Sequence, residues 1–491
     1  MAAEYLTERD YRYSVPNTVM WWSTAILLVY FGARLVYLAL NLSSYVPPDE
    51  VTHAGLCRVF ANALPFPENT PDTYRFGLVT NIPWLYYGIM GQLLHLNVTG
   101  TPDLLFLRLL NIPLAFGTVW YTLRILQLLT DDRLTRLFLL AVVTNIPMFS
   151  LLASSISYDN LTNLLAAMSI YYLLAFFMDR KGNLLAASIL CQLLGCLTKT
   201  TMLPLVLMLA ILLLLNERQN LRRLPALLTQ YLRSGRVSSW LLTATGGVAL
   251  GLTIYLYAGN YLSYGVLAPT MTNVLTSKVA MENRIGARET IFSLYEQGRI
   301  SYQDALQMAG GIKHIGDKSD TFYLLMNYEN LRRNPLLWMG FISYTRVWFE
   351  QVTSGIFGIK SHLQMIKKPS WLIPVYVMMA LALLGGAFRW RPQQSGWLPA
   401  CLAVIAFGYA GFILYKINYQ AYRYYGTPGI TLQGRYHFVV LAPCAVLFCR
   451  YLTELFAPPL CRLTLAAVAA LMFIVYDFPW FLLHATKEWY L

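Results

Sequence analysis

Charged residues are scarce in this sequence: they make up 12% of its 491 residues, whereas soluble domains carry roughly 25%. Hydrophobic residues reach 57%, and apolar runs recur along the whole chain. This composition excludes an ordinary soluble domain and predicts an all-α polytopic membrane protein. The net charge of +13 does not indicate nucleic-acid binding, because the lysines and arginines are scattered through the loops between apolar runs.

Paired cysteines and nucleotide-binding loops are also missing. The seven cysteines form no CxxC pair, so we expect neither a disulfide framework nor a structural zinc site. The sequence has no Walker A loop and no GxGxxG motif followed by a strand, which argues against a soluble nucleotide-sugar substrate. A cleavable signal is not expected, because residues 1–18 are polar.

Eleven apolar runs near the length of a bilayer crossing are predicted to be transmembrane helices, although the fifth and sixth are short. The stretch Ile82–Leu96 is apolar but contains Pro83 and Gly88, and we expect it to form a helix at the membrane surface. The predicted crossings are Trp21–Leu40, Leu104–Leu129, Leu134–Ala153, Leu161–Met178, Asn183–Leu197, Met202–Leu215, Trp240–Ala258, Trp371–Phe388, Trp397–Tyr415, Phe438–Phe456 and Leu463–Leu483.

Most basic residues fall in alternate loops, which the positive-inside rule assigns to the cytoplasm. The N-terminus is then cytoplasmic, and a bacterial plasma membrane is the expected location. We predict an N-terminal transmembrane module (1–259) with a first outer loop (41–103), a mostly helical extracytoplasmic loop (260–370) and C-terminal transmembrane helices (371–491). The cytoplasmic set is Arg9, Arg12, Arg133, Arg136, Arg180, Lys181, Arg218, Arg222, Arg223, Arg233, Arg236, Arg389, Arg391, Arg450 and Arg462.

Two adjacent carboxylates follow the first apolar run. Pro47 and Pro48 stiffen the chain before Asp49 and Glu50, and a helix is predicted from there, which places His53 one turn on and on the same side. Ionisable groups beside lipid are expensive and point to a functional site. The alternative is an acidic N-terminal cap on a surface helix.

Three further polar segments lie on the same side of the membrane. Asp159 precedes the fourth crossing, Lys199 lies between the fifth and sixth, and Arg435 precedes the tenth. Taken singly, Asp159 could be a helix cap, Lys199 a residue that snorkels at a helix end, and Arg435 an interfacial anchor. Together, acids from two loops and cations from two others predict a site for an anionic, lipid-embedded substrate.

Such a site suits group transfer from a lipid phosphate. A departing phosphate needs fixed cations, which Arg435 or Lys199 could supply, and an acceptor hydroxyl needs a carboxylate to take its proton. The sequence therefore indicates an inverting displacement at a sugar carbon.

The four segments resemble motifs of the GT-C superfamily, whose members are glycosyltransferases that use polyprenyl-phosphate sugars. The resemblance rests on Pro48-Asp49-Glu50-x-x-His53, Ser157-Tyr158-Asp159, Thr198-Lys199 and Gln433-Gly434-Arg435-Tyr436. It is greatest for a bacterial branch with P-D-E-x-x-H and Q-G-R-Y signatures, and more distant for protein O-mannosyltransferases and lipid A aminoarabinose transferases.

The resemblance implies a polyprenyl-phosphate-sugar donor, and a glycan, lipid or protein acceptor. Asp49 would be the catalytic base, and Glu50 and Asp159 would be further acidic residues of the catalytic site. No cofactor is implied, although a divalent cation could accompany the acids. The predicted substrate-binding residues are His53, Arg75, Lys199, Arg435, Tyr436 and His437.

Two other classes share some of these features. A transporter or flippase of lipid-linked sugars also holds polar groups in an apolar frame, but it should show inverted repeats or charges near the middle of its spans. An O-antigen polymerase or ligase also has many spans and a large outer loop. We would expect that class to depend on outer-loop arginines and not on an early Asp-Glu pair.

The predicted topology can be tested with reporter fusions. Because the arginine-rich segment 217–239 is assigned to the cytoplasm and residues 260–370 to the outside, fusions after Ser239 and after Asp320 should report opposite sides. The same side for both fusions would mean that Trp240–Ala258, the predicted crossing between them, does not span the membrane.

Overall fold

The structure is a computed structural model that describes residues 15–63, 66–233, 237–313, 315–360, 363–390 and 397–491. Within these ranges the regular structure is helical, apart from two isolated β-bridges. The predicted all-α class is therefore confirmed. All seven cysteines are free thiols. Four arginines used to orient the chain, Arg9, Arg12, Arg236 and Arg391, lie outside the described residues.

Twelve helices occupy the described part of the first half of the chain. They are α1 (Asn17–Asn41), α2 (Glu50–Asn62), α3 (Pro71–Tyr74), α4 (Leu85–Leu94), α5 (Asp103–Gln127), α6 (Arg133–Thr144), α7 (Pro147–Ala153), α8 (Tyr158–Asp179), α9 (Gly182–Thr198), α10 (Met202–Glu217), α11 (Leu224–Leu232) and α12 (Val237–Tyr264).

Twelve more helices follow in the described part of the second half. They are α13 (Met271–Val274), α14 (Ser277–Ala280), α15 (Arg284–Glu296), α16 (Tyr302–Gly310), α17 (Ile315–Arg333), α18 (Phe341–Phe357), α19 (Ile373–Arg389), α20 (Trp397–Phe412), α21 (Gln420–Tyr425), α22 (Leu441–Glu454), α23 (Pro459–Tyr476) and α24 (Phe478–His484). A π-helix (Ile413–Tyr419) joins α20 to α21, and a 3₁₀ turn (Gly434–Val440) leads into α22.

Every predicted crossing coincides with helical structure, because backbone polar groups in a bilayer must be satisfied within the segment itself. In the described ranges, eight helices or joined helices are long and apolar enough to cross a membrane, and the bent pair α6–α7 would be a ninth. The remaining two, α9 and α10, are apolar but have only 17 and 16 residues. Helix α4 has ten residues, which span about 15 Å, so it is too short to cross the membrane, as predicted. It packs on α2.

The 65° bend between α6 and α7 is stabilised by a buried arginine. Pro147 cannot donate a hydrogen bond, so α6 ends before it and leaves carbonyl groups without helical partners. Arg34 of α1 donates to the carbonyl oxygen of Thr144 and to Oδ1 of Asn145, and its Nη1 lies 2.6 Å from the carboxylate of Asp477. This ion pair joins α1, the bend and the break between α23 and α24.

Helices α15–α17 belong to the segment between α12 and α18, and they form a small bundle with its own apolar core. The expected helix start at Ser301 is confirmed, since Ser301 and Asp304 form a reciprocal capping box at the beginning of α16. Helix α18 then packs closely on the 3₁₀ turn: a Cβ on Gly355 would lie 2.8 Å from the backbone nitrogen of Gly434.

The C-terminal residues lie beside the C-terminal end of α1. Leu42 and Tyr490 form an antiparallel bridge, and the Leu491 amide donates to the Asn41 carbonyl oxygen. The C-terminal residues are therefore on the same side as the Asp49 motif, which an odd number of crossings requires.

The contact between α19 and α22 provides a test of the packing. A Cβ on Gly385 would lie 2.1 Å from the carbonyl oxygen of Tyr451, whereas a Cβ on Gly386 would lie 3.6 Å from the Tyr451 ring. Gly385→Ala should destabilise the protein by about 1–3 kcal/mol, because backbone must move. Gly386→Ala, which makes the same change in helix propensity, should be neutral or stabilising by up to about 1 kcal/mol.

The measurement is the unfolding midpoint of each purified variant in one detergent. Equal midpoints for the two variants would contradict the close approach of α19 and α22.

Candidate active site

The four polar segments identified in the sequence converge at one end of the helical bundle. They are the turn before α2, the start of α8, the link between α9 and α10, and the 3₁₀ turn before α22. Their ionised side chains, Asp49, Asp159, Lys199 and Arg435, form a continuous chain of contacts, which we call the charge cluster. Two acids and two bases make its formal charge zero.

Asp49 forms the accessible edge of the charge cluster. Its backbone is left-handed, with φ of 59°, a conformation that costs an L-residue roughly 1–2 kcal/mol and that Asp tolerates better than most. Pro47 and Pro48 restrict the chain that enters this turn. The Asp49 side chain is half exposed, and its Oδ2 lies 2.7 Å from Nη2 of Arg435.

Arg435 is the centre of the charge cluster, and its side chain is only 2% exposed. In addition to the contact with Asp49, its Nη1 lies 3.4 Å from the Pro48 carbonyl oxygen and 3.7 Å from Oδ2 of Asp159. Its Nε donates to Oε1 of Gln433 at 2.5 Å. A buried guanidinium needs carboxylate and hydrogen-bond partners to offset the loss of water, and Arg435 has both.

Lys199 completes the charge cluster on its buried side. Its ammonium group contacts Oδ1 of Asp159 and lies between two aromatic rings, 4.6 Å from the ring centre of Tyr158 and 4.7 Å from that of Tyr436. Burial lowers the pKa of Lys199, and the charge of Asp159 opposes that shift. Lys199 is therefore held by one carboxylate and two ring faces.

His53 lies beside the charge cluster as a neutral imidazole. Burial lowers its pKa to about 4, although Asp49 and Asp159 oppose that shift. Its Nδ1 is 2.8 Å from the Tyr87 hydroxyl, and its ring meets Tyr158 edge-on. Its Nε2 is buried and has no hydrogen-bond partner among the described residues, so it can still accept or donate one bond.

Glu50 points away from the charge cluster. Both of its oxygens are held by Arg108, at 2.9 Å from Nε and 2.5 Å from Nη2, and Oε1 also accepts from the Ile156 amide. Burial raises the pKa of Glu50, and Arg108 offsets part of that shift. A direct contact between Glu50 and substrate, as the sequence suggested, does not fit this geometry.

Through the ion pair with Glu50, Arg108 connects helices α1, α2 and α5 with the loop that contains Ile156. Its Nη1 donates to the carbonyl oxygens of Ala39 and Leu42, at the end of α1. Arg108 is not among the site residues predicted from the sequence. The available signal was an arginine inside an apolar run, which requires a buried partner.

Two predicted binding residues lie outside the charge cluster. Arg75 is exposed, and its guanidinium stacks on the ring of Phe76. His437 turns the other way from Arg435 and packs against the rings of Trp348 and Tyr409.

An apolar cavity of about 200 Å³ lies beside His437. It lies between the α6–α7 bend and helices α18, α19, α22 and α23, and its lining is almost entirely hydrocarbon. The lining residues are Val142, Ile146, Ile356, Phe357, Val375, Met379, His437, Phe438, Leu441, Cys444, Ala445, Phe448 and Phe473.

No group of three or more His, Cys, Asp or Glu side chains within the described ranges is arranged to hold a metal ion. Between Asp49 and Asp159 lies the Arg435 guanidinium. The charge cluster is thus held together by ion pairs and hydrogen bonds between its own side chains.

Neither a protein-family model nor a curated protein sequence matches the chain. Among solved structures, the crystal structure of ArnT from Cupriavidus metallidurans in the apo state is similar to the structure of this chain. The two share 12% sequence identity over 87% of this chain and 77% of that chain, with a TM-score of 0.37. At this low similarity, function has to be argued from the chain's own residues.

The Glu50–Arg108 pair predicts a large stability effect. Glu50→Gln leaves the Arg108 charge buried without its counter-charge, so unfolding should become easier by about 3 kcal/mol or more. Asp103→Asn removes an acid from the exposed pair with Arg58 and should change stability by at most about 1 kcal/mol. The check is denaturant unfolding of both variants.

If Glu50→Gln were as stable as Asp103→Asn, the carboxylate would not be the structural partner of Arg108.

Proposed function

We propose that the chain is an integral-membrane glycosyltransferase of the GT-C type. It transfers a sugar from a polyprenyl-phosphate donor to a hydroxyl of a glycan, lipid or protein acceptor on the extracytoplasmic side. The observation that carries the proposal is the contact between half-exposed Asp49 and buried Arg435. It sets a proton acceptor next to a fixed cation at the end of a membrane bundle.

The cationic half of the charge cluster suits a departing lipid phosphate. The phosphodiester of a polyprenyl-phosphate sugar carries one negative charge, and a second develops as the bond to the sugar breaks. Arg435 and Lys199 are buried and already oriented, so they can stabilise that charge without reorganising. A guanidinium can also bind phosphate oxygens through two parallel hydrogen bonds.

Donor binding and activation of Asp49 are linked in this proposal. A carboxylate held by a guanidinium is a weak proton acceptor. The donor phosphate competes for Nη2 of Arg435, and Asp49 is released when a phosphate oxygen takes its place at that nitrogen. Asp49 then becomes an effective base only when the donor is in place.

The transfer itself is a single displacement. Asp49 takes the proton of the acceptor hydroxyl, and the acceptor oxygen forms a bond to the anomeric carbon from the side opposite the phosphate. The bond between that carbon and the phosphate oxygen breaks, and its electron pair leaves with the polyprenyl phosphate. The configuration at the sugar carbon is inverted.

The neighbouring residues support these two groups. Asp159 fixes Lys199 and Arg435, and the Tyr436 ring covers Lys199. The unpartnered Nε2 of His53 offers one hydrogen bond to a sugar hydroxyl or a phosphate oxygen. Glu50 acts through Arg108 by fixing the start of α2, which makes it a positioning residue.

The apolar cavity favours a donor attached to a hydrocarbon chain. Its lining includes His437, two residues after Arg435 in the same 3₁₀ turn. Burial of hydrocarbon against this lining is favourable, so the cavity suits part of the donor's lipid.

Asp49→Asn is the decisive variant. It keeps the shape of the side chain but cannot accept a proton, so sugar transfer should fall by about 10² to 10⁴. Donor affinity should be unchanged or tighter, because Arg435 loses a competing carboxylate. Asp72→Asn, an exposed acid in the same outer loop, is the matched control and should keep wild-type activity.

The assay is release or transfer of labelled sugar from undecaprenyl-phosphate-linked mannose, glucose and galactose, with donor binding measured separately. Asp49→Asn activity within about threefold of wild type would refute the catalytic role. Loss of donor binding in this variant would instead make Asp49 a binding residue. A wild-type protein that neither binds nor turns over any of the three donors would overturn the lipid-phosphate proposal.

A further inference from the structure

The bundle α15–α17 has a cleft of its own, apart from the charge cluster. Its volume is about 550 Å³, and it opens between the end of α15, the start of α16 and the last turns of α17. None of the charge-cluster residues lines it. The lining residues are Tyr295, Gly298, Ile300, Ser301, Tyr302, Glu329, Arg332 and Arg333.

One wall of the cleft is aromatic. The ring centres of Tyr295 and Tyr302 are 5.8 Å apart, with the rings inclined at 51°. Tyr295 is rigid, because its ring is buried in the bundle core and its hydroxyl donates to Oε2 of Glu329. Tyr302 is partly exposed. The ring surface that this wall presents to a ligand is therefore that of Tyr302. An aromatic face with polar groups at its edge binds flat, partly apolar and partly polar ligands, such as sugar rings.

The other wall is charged, with an excess of positive charge. Glu329 also accepts from Nε of Arg333 at 2.6 Å, so one acid and one base of the cleft are paired. The guanidinium of Arg332 lies 6.0 Å from the Tyr295 ring centre and is exposed. Arg332 can therefore bind an anion without the loss of an existing ion pair.

The floor of the cleft is a tight turn. Gly298 has φ of 68°, and no atom lies within 4 Å of the position that its Cβ would occupy. The turn leaves open space between the two walls, and a side chain at this position would be strained.

We propose that this cleft binds a saccharide that carries an acidic group. A neutral sugar would leave the excess positive charge unused, and a small inorganic anion would not cover the Tyr302 ring. An acidic saccharide uses both walls: its ring lies on Tyr302, its hydroxyls meet Glu329, and its anionic group meets Arg332. This inference is independent of the transfer reaction proposed above.

The bundle that carries the cleft also contacts the segment that leads to Arg435. A Cβ on Gly426 would lie 2.8 Å from the side chain of Leu331 in α17, and Ile430 packs on the bundle core. A saccharide in the cleft is therefore held by an element that touches the polypeptide of the active site.

The test is calorimetric titration of the purified full-length protein with cellobiouronic acid and with its neutral counterpart, cellobiose. The wild type should bind the acidic disaccharide about tenfold or more tightly than the neutral one, which is the usual difference for a hydrogen bond to a charged group. Arg332→Gln should reduce the affinity for cellobiouronic acid to that for cellobiose. Arg299→Gln, an exposed arginine of the same bundle outside the cleft, should change neither.

Tyr302→Leu is a second variant that keeps the charge of the cleft, and it should weaken binding of both disaccharides. Absence of binding to the wild type, equal affinity for the two disaccharides, or equal effects of Arg332→Gln and Arg299→Gln would each overturn the proposal. Asp49→Asn should bind cellobiouronic acid as the wild type does, so failure of the transfer mechanism and failure of this site give different results.

Discussion

A buried charge near a bilayer has to be neutralised by a partner, and this constraint organises the bundle. Four basic side chains are buried in the described part of the membrane domain: Arg34, Arg108, Lys199 and Arg435. Each meets a carboxylate from a different segment of the chain. These pairs fix the relative positions of helix ends that apolar packing alone would leave free to slide.

The pairs differ in whether they can exchange partners. In the pairs Arg34–Asp477 and Arg108–Glu50, all four side chains are at most 5% exposed, so breaking either pair would leave an uncompensated charge. In the Arg435–Asp49 pair, Asp49 is 50% exposed and can return to water. In the mechanism that we propose, the donor phosphate replaces Asp49 at Arg435 while both charges stay solvated or paired. The exposure of Asp49 distinguishes this pair from the two closed pairs.

The sequence predicted the helices well and the side-chain partners less well. A bilayer requires long apolar runs with internally satisfied backbones, and such runs are visible without any knowledge of tertiary structure. The convergence of Asp159, Lys199 and Arg435 could also be anticipated, because alternate loops share a side of the membrane. The pairing of Glu50 with Arg108 could not, because it depends on how α1, α2 and α5 pack.

Local geometry explains the two residues that do not reach the charge cluster. His437 follows Arg435 by two positions in a 3₁₀ turn, where successive residues are about 120° apart, so the two side chains point to different sides. Sequence proximity placed them together, and the turn type separates them. Arg75 lies on the exposed surface after α3, where its stacking partner is the adjacent Phe76.

Asp49 and Glu50 are adjacent in sequence but have opposite functions in the structure. The left-handed backbone at Asp49 turns its side chain towards Arg435, and the helix that begins at Glu50 directs the next carboxylate into Arg108. The dipeptide therefore joins two ion pairs. The Glu50–Arg108 pair is closed to solvent, and the Asp49–Arg435 pair is accessible to solvent on the Asp49 side. Because Glu50 holds the start of α2, Asp49 can lose or regain its partner without movement of the helix. In the mechanism that we propose, the exchange that activates Asp49 is then confined to side chains.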